Sequence, residues 1–227
     1  MSVFHQVYQQ NIFEIVNHFQ TITVEQIMEI MHPTDAEKDQ KMRFALFQMI
    51  KSGLLSCSED GTVIKLTGRT PVRETLLDCI WVAMELACAN DDEDDIPLLS
   101  KFECITAAAP FSRPLKIVYA SPDSNSVYYI AAIKENRANE AHVLYEHLRN
   151  SMNDYEGDGA VKEKVIIVTW DHSTAKAILP MPEFDVMKVI LTRPFSEELN
   201  YNVKPNIEVF DVSKATKSIK KEIDENR

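Results

Sequence analysis

A chain of 227 residues, 45% hydrophobic and 26% charged, is long enough for one large or two small domains with a buried core, which excludes an intrinsically disordered protein. Thirty-five acidic against 24 basic side chains give a formal net charge of -11, which excludes a wholesale polyanion binder and leaves only local contact with nucleic acid. The five glycines fall at 53, 61, 68, 157 and 159, so no phosphate-cradling loop of Walker or dinucleotide type can be written.

The start MSVFHQVYQQNIFEI has no basic segment, apolar core and small-residue cleavage site, and no run reaches ~18 apolar residues, so a cytoplasmic protein with no membrane partner is expected. Cys57, Cys79, Cys88 and Cys104 contain no CxxC pair and read as reduced, buried thiols. No cofactor or metal site is expected.

Val7, Ile12, Ile15, Val16 and Phe19 make the apolar stripe of a first helix. Thr23-Val24-Glu25-Gln26 is a capping box opening a second, which His32-Pro33 ends. Thr34 or Asp35 caps a third helix with a Met42, Leu46, Met49, Ile50 stripe and a left-handed stop at Gly53. Two short strands, residues 54–58 and 62–66, then flank Glu59-Asp60-Gly61, a hairpin signal.

Three helices and a hairpin are the order of a winged helix-turn-helix, in which the third helix enters the major groove and the wing touches phosphate. The solvent side of that helix carries Lys38, Gln40, Lys41, Arg43, Gln48 and Lys51, and the second hairpin strand adds Lys65. These seven are the candidate contacts to double-stranded DNA. Asp35, Glu37 and Asp39 interleave with them, and residues 1–70 hold six basic and eight acidic side chains, so a protein-interaction or dimerisation module stays open beside DNA binding.

Gly68-Arg69-Thr70-Pro71 is a breaker and helix start, placing a boundary near 70 between a domain of residues 1–70 and an α/β domain of 71–227. The connecting helix, 71–89, is apolar on several faces and should be buried. The block Asp91 to Asp95 lacks the alternation and glycine of a calcium loop and reads as solvated. Strands are expected at Lys116–Ala120, Val127–Ile133, Lys164–Thr169, Val186–Leu191 and Asn206–Phe210, with helices over Ala138–Leu148 and from Ser173. The run at Lys164 is of the buried parallel type. A basic helical tail carries Lys214, Lys217, Lys220 and Lys221. The fold class is therefore α+β.

Pro122-Asp123 at a hairpin, then Ala132-Ile133-Lys134 at the end of the next strand, resembles the layout of a PD-(D/E)xK nuclease core in degenerate form. That chemistry needs two carboxylates on a divalent ion, and Ala132 supplies none. His142 and His147 are five apart rather than the three or four of a helical ligand pair, and in Asp171-His172-Ser173 either Asp171 or Ser173 is a helix cap rather than a member of a triad.

The succession of a winged helix, LDCIWVAMELA, PLKIVYAS with SVYYIAAI, and KVIIVTW resembles a bacterial domain family found beside plasmid and conjugative-element genes. That family is distantly similar to replication-relaxation proteins, which combine a winged helix with a nuclease-like domain. The resemblance spans roughly residues 5 to 210 and implies a DNA-related accessory or regulatory role in mobile elements. Three functions follow as expectations: a non-enzymatic DNA-binding or regulatory protein, a protein-interaction scaffold or homodimer in a replication or conjugation complex, and a cryptic nuclease using Asp123 and Lys134.

Overall fold

A computed structural model describes residues 3–66, 72–89, 98–109, 114–121, 124–152, 161–194 and 200–210. Helix α1 (Val3–Phe19) buries Ile12, Ile15, Val16 and Phe19 of its expected stripe, whereas Val7 is exposed. It leads into β1 (Thr21–Thr23), a strand too short to leave an alternating pattern. Thr23 then caps α2 (Val24–Met31): its Oγ1 accepts the Gln26 N–H at 3.1 Å, and Gln26 Oε1 accepts the Thr23 N–H at 3.1 Å. Buried Gln26 also donates Nε2 to the Leu77 carbonyl at 2.6 Å, fastening the cap to the rest of the molecule. Beyond α2, His32 is left-handed (φ 45°) rather than extended, and its N–H closes on Met28.

Asp35, not Thr34, caps α3 (Ala36–Lys51), accepting the Lys38 N–H at 2.8 Å. Gly53, at φ 75°, makes the predicted left-handed stop. The hairpin follows as β2 (Leu55–Cys57) and β3 (Val63–Leu66). Asp60 secures its turn through the Ser58 and Thr62 hydroxyls, and those bonds hold its carboxyl below the usual range. β1 pairs antiparallel with β3, giving the strand order β1-β3-β2.

Helix α4 (Glu74–Ala89) is buried on nearly every side, from Leu76 to Ala87. It packs on one side against the second sheet and on the other against β1 and a short 3-10 turn, Leu98–Ser100. The expected cap at Thr70, the acidic block Asp91 to Asp95 and the tail from Lys214 lie outside the described residues.

The second sheet has the order β4-β5-β6-β7-β8-β9. β4 (Ile105–Ala107), β5 (Leu115–Ser121) and β6 (Ser126–Ala132) form an antiparallel meander. After α5 (Glu140–Met152), β7 (Lys162–Thr169) joins parallel to β6; after α6 (His172–Ala177), β8 (Asp185–Thr192) joins parallel to β7. β9 (Asn206–Val209) closes the order antiparallel to β8. The apolar run of β7 has a physical cause in this layering: Ile166 and Val168 point into the cluster with α4, Val165 and Ile167 into the cluster with α5.

A single buried cluster runs from Ile12 of α1 to Leu191 of β8, so the two sheets share a core. His18 Nε2 donates to the Ile105 carbonyl at 2.7 Å, and Trp81 Nε1 to the Tyr201 carbonyl at 3.3 Å. Among the described residues no helix is long and apolar enough to cross a membrane.

Candidate nucleic-acid interface

At ~100° per residue, Glu37, Gln40, Lys41, Phe44, Phe47, Gln48 and Lys51 fall within about a third of the circumference of α3. They face away from the buried Met42, Leu46 and Met49. Phe44, 53% exposed, stands near the middle of this outward face, and Phe47, 55% exposed, at its edge. Phenylalanine is normally a core residue, so two large rings held in water are the informative observation here.

The seven expected contacts divide by position. Gln40, Lys41, Gln48 and Lys51 lie on the outward arc. Lys41 pairs with Glu37 at 2.5 Å, which raises its pKa, but both are exposed and such a pair yields readily to a stronger partner. Lys38 stands to one side, its Nζ donating to Thr34 Oγ1 at 2.7 Å. Lys65, half-buried on β3, is flanked across the sheet by Thr21 and Ser56.

Arg43 is elsewhere. Its Nη1 and Nη2 donate to the two Glu25 oxygens at 2.9 Å each, and its Nε donates to Asp39 at 2.9 Å. The Glu25 hydrogen bonds push its pKa further up. The fork that reads guanine or phosphate in other proteins here clamps α3 to α2. One consequence is electrostatic: from Phe44 to Ser58 the chain contains no carboxylate, so the second half of α3 is uncharged but for Lys51.

Asp123 lies outside the described residues. The described edges of its turn, Ser121 and Ser124, stand at the start of β6, whereas Lys134 follows its end. Seven residues at ~3.3 Å place these ends roughly 23 Å apart. Across from the end of β6, at the start of β5, Leu115 faces Ala131 and the Ala132 N–H reaches the Pro114 carbonyl. Ala132 and Leu115 are both buried and apolar.

Lys134 and the adjacent Glu135 open onto a cleft of about 380 Å³ at the carboxyl ends of β6, β7 and β8. Its floor is a buried ion pair, Asp78 of α4 with Arg193 after β8. Asp78 Oδ2 also accepts the Trp170 indole N–H at 2.9 Å, and Arg193 donates Nε to the Val203 carbonyl at 2.9 Å. Asp78 is therefore committed to charge neutralisation. Burial, with the Glu74 and Asp78 charges, pushes the Tyr201 phenol at the rim up to about 12.

Other expected features sort plainly. Asp171 caps α6, accepting the Thr174 N–H at 2.7 Å; burial raises its pKa, but bonds from Ser173 and Thr174 outweigh that and leave it low. His142 and His147 are exposed on α5. None of the four cysteines is in a disulfide, but only Cys79 is buried; Cys57, on edge strand β2, and Cys88, near the end of α4, are exposed, correcting the expectation of a buried set. Among the described residues there is no group of three or more His, Cys, Asp or Glu able to hold a metal ion.

Comparison with protein-family models, with curated proteins and with solved structures finds no match to this chain.

Proposed function

We propose that the chain is a non-enzymatic DNA-binding protein of regulatory or accessory function, in which residues 3–66 act as a winged helix and α3 enters the major groove. The observation that carries this reading is the unit's architecture. The order α1-β1-α2-α3-β2-β3 and the sheet β1-β3-β2 support it, because they leave the outer face of α3 exposed beside a hairpin. Lys41 and Lys51 stand on that face for phosphate, Lys38 lies to one side of it, and Lys65 is carried by β3 of the hairpin. The second unit, resembling a degenerate nuclease core, serves on this reading as a rigid platform. Leu115, Ala132 and the committed Asp78 favour a platform over catalysis at the end of β6.

The test is fluorescence anisotropy with duplex DNA over a salt series. We expect affinity to fall with salt, and changing Lys41 and Lys51 to Glu to weaken binding and reduce the slope of log K against log salt by about 2. Unchanged affinity in that variant would remove α3 as the contact surface.

A second reading, a protein-interaction scaffold, is favoured by one observation: two exposed phenylalanines on an acidic protein. Capture of a partner together with no duplex binding at low salt would select it.

A further inference from the structure

Which bases a reading helix prefers depends on which side chains it offers to base edges. The guanidinium fork is the usual guanine reader, and α3 has one arginine, Arg43, held by Glu25 and Asp39 away from the outward face. That face offers instead the exposed rings of Phe44 and Phe47 and the amides of Gln40 and Gln48. In the major groove the thymine C5-methyl is the apolar group that a phenyl ring can contact, and adenine N6 and N7 are the pair that a glutamine amide bonds with two hydrogen bonds. The absence of carboxylates from Phe44 to Ser58, with Lys51 one turn beyond Phe47, lets this part of the helix approach phosphate without like-charge repulsion.

We infer that α3 reads A·T base pairs, with Phe44 and Phe47 against thymine methyl groups and a glutamine on the paired or neighbouring adenine. This rests on the DNA-binding reading above and adds the recognised base and the residues that determine it. Phe47, one helical turn from Lys51, is the central contact. The two rings contribute specificity, while the lysines contribute sequence-independent affinity; the two effects are therefore separable by mutation.

The experiment compares the full chain on three duplexes of equal length: one A·T-rich, the same duplex with deoxyuridine replacing every thymidine, and one G·C-rich. Uracil pairs as thymine does and lacks only the methyl. Removing one buried methyl contact should weaken binding about fourfold, and removing two more than tenfold. The Phe47→Ala protein, altered at an exposed position and checked for an unchanged unfolding temperature, should keep its salt dependence while its preference for the thymine over the uracil duplex falls from more than tenfold to about fourfold, the contact left to Phe44. Lys51→Glu should do the reverse, lowering affinity for all three duplexes and preserving the thymine-to-uracil ratio. Salt-dependent binding that is equal on the thymine and uracil duplexes would overturn the inference and leave the DNA-binding reading standing. Absence of binding to any duplex at low salt would overturn both. Concentration-dependent self-association abolished by Phe47→Ala would assign the rings to a protein interface and likewise overturn the inference.

Discussion

Asp78 and Arg193 form an ion pair whose side chains are 2% and 3% exposed, on elements 115 residues apart. Removing one partner strands a charge where water cannot reach it. Such a loss costs about 3–5 kcal/mol, far above the value of an exposed pair. With an unfolding entropy of ~2.1 cal/mol/K per residue, a chain of 227 residues loses about 0.5 kcal/mol of stability per kelvin near its midpoint. Asp78→Ala and Arg193→Met should therefore each lower Tm by roughly 6 to 10 °C. Replacing both with apolar residues removes the stranded charge and leaves mainly the Trp170 N–H without its acceptor. The double variant should thus cost less than the sum of the singles by about 2 kcal/mol or more. Differential scanning calorimetry and urea titration measure both quantities, and the shared core predicts a single cooperative transition. Single variants costing under about 1 kcal/mol, or a double variant costing the full sum, would refute the account of a desolvated, mutually compensating pair.

Arg43→Met should lower stability by about 1 kcal/mol, through the lost clamp to Glu25 and Asp39, while changing duplex affinity less than twofold; a large affinity loss at unchanged stability would return Arg43 to the interface. Thiol titration of the native protein should label Cys57 and Cys88 rapidly and leave Cys79 unreacted until global unfolding, because burial pushes the Cys79 thiol far up; labelling of Cys79 under native conditions would contradict its packing. Tyr129 and Tyr201 are raised to about 12, first by burial and then by neighbouring carboxylates, Glu163 and Glu74 respectively among them. A raised phenol contributes stability that is complete below its unfolded value near 10 and is lost as pH rises toward 12. Stability should decline across that window, with Tyr129 and Tyr201 contributing to a late phase of the absorbance titration; a titration complete in the ordinary range near 10 would contradict their burial.

Local physics was legible in the sequence and long-range geometry was not. The Thr23–Gln26 box, the Gly53 stop and the Asp171 cap depend on neighbours within a few residues; the first two form as read, and the structure chooses Asp171 over Ser173 for the third. β1 and β4 escaped because three residues carry no period. The role of Arg43 depends on Glu25, 18 residues away on another helix, which helical spacing alone cannot pair with it. Phe44 and Phe47 left a readable signal: they sit three apart and off the Met42, Leu46, Met49 stripe, which places large apolar side chains on the face assigned to solvent. The short sequence interval before Lys134 concealed the strand β6, since extension turns its seven residues into about 23 Å.

Site-specific photocrosslinking locates the surface that meets DNA. A benzophenone side chain placed at Phe47 of α3, and in a second protein at Val143 of α5, samples two exposed positions of similar accessibility. Both proteins would be irradiated with duplex DNA at low salt. A crosslinked adduct is expected from position 47, competed away by unlabelled duplex, and none from position 143. An adduct from position 143, or retained duplex binding with no adduct from position 47, would contradict α3 as the contact surface.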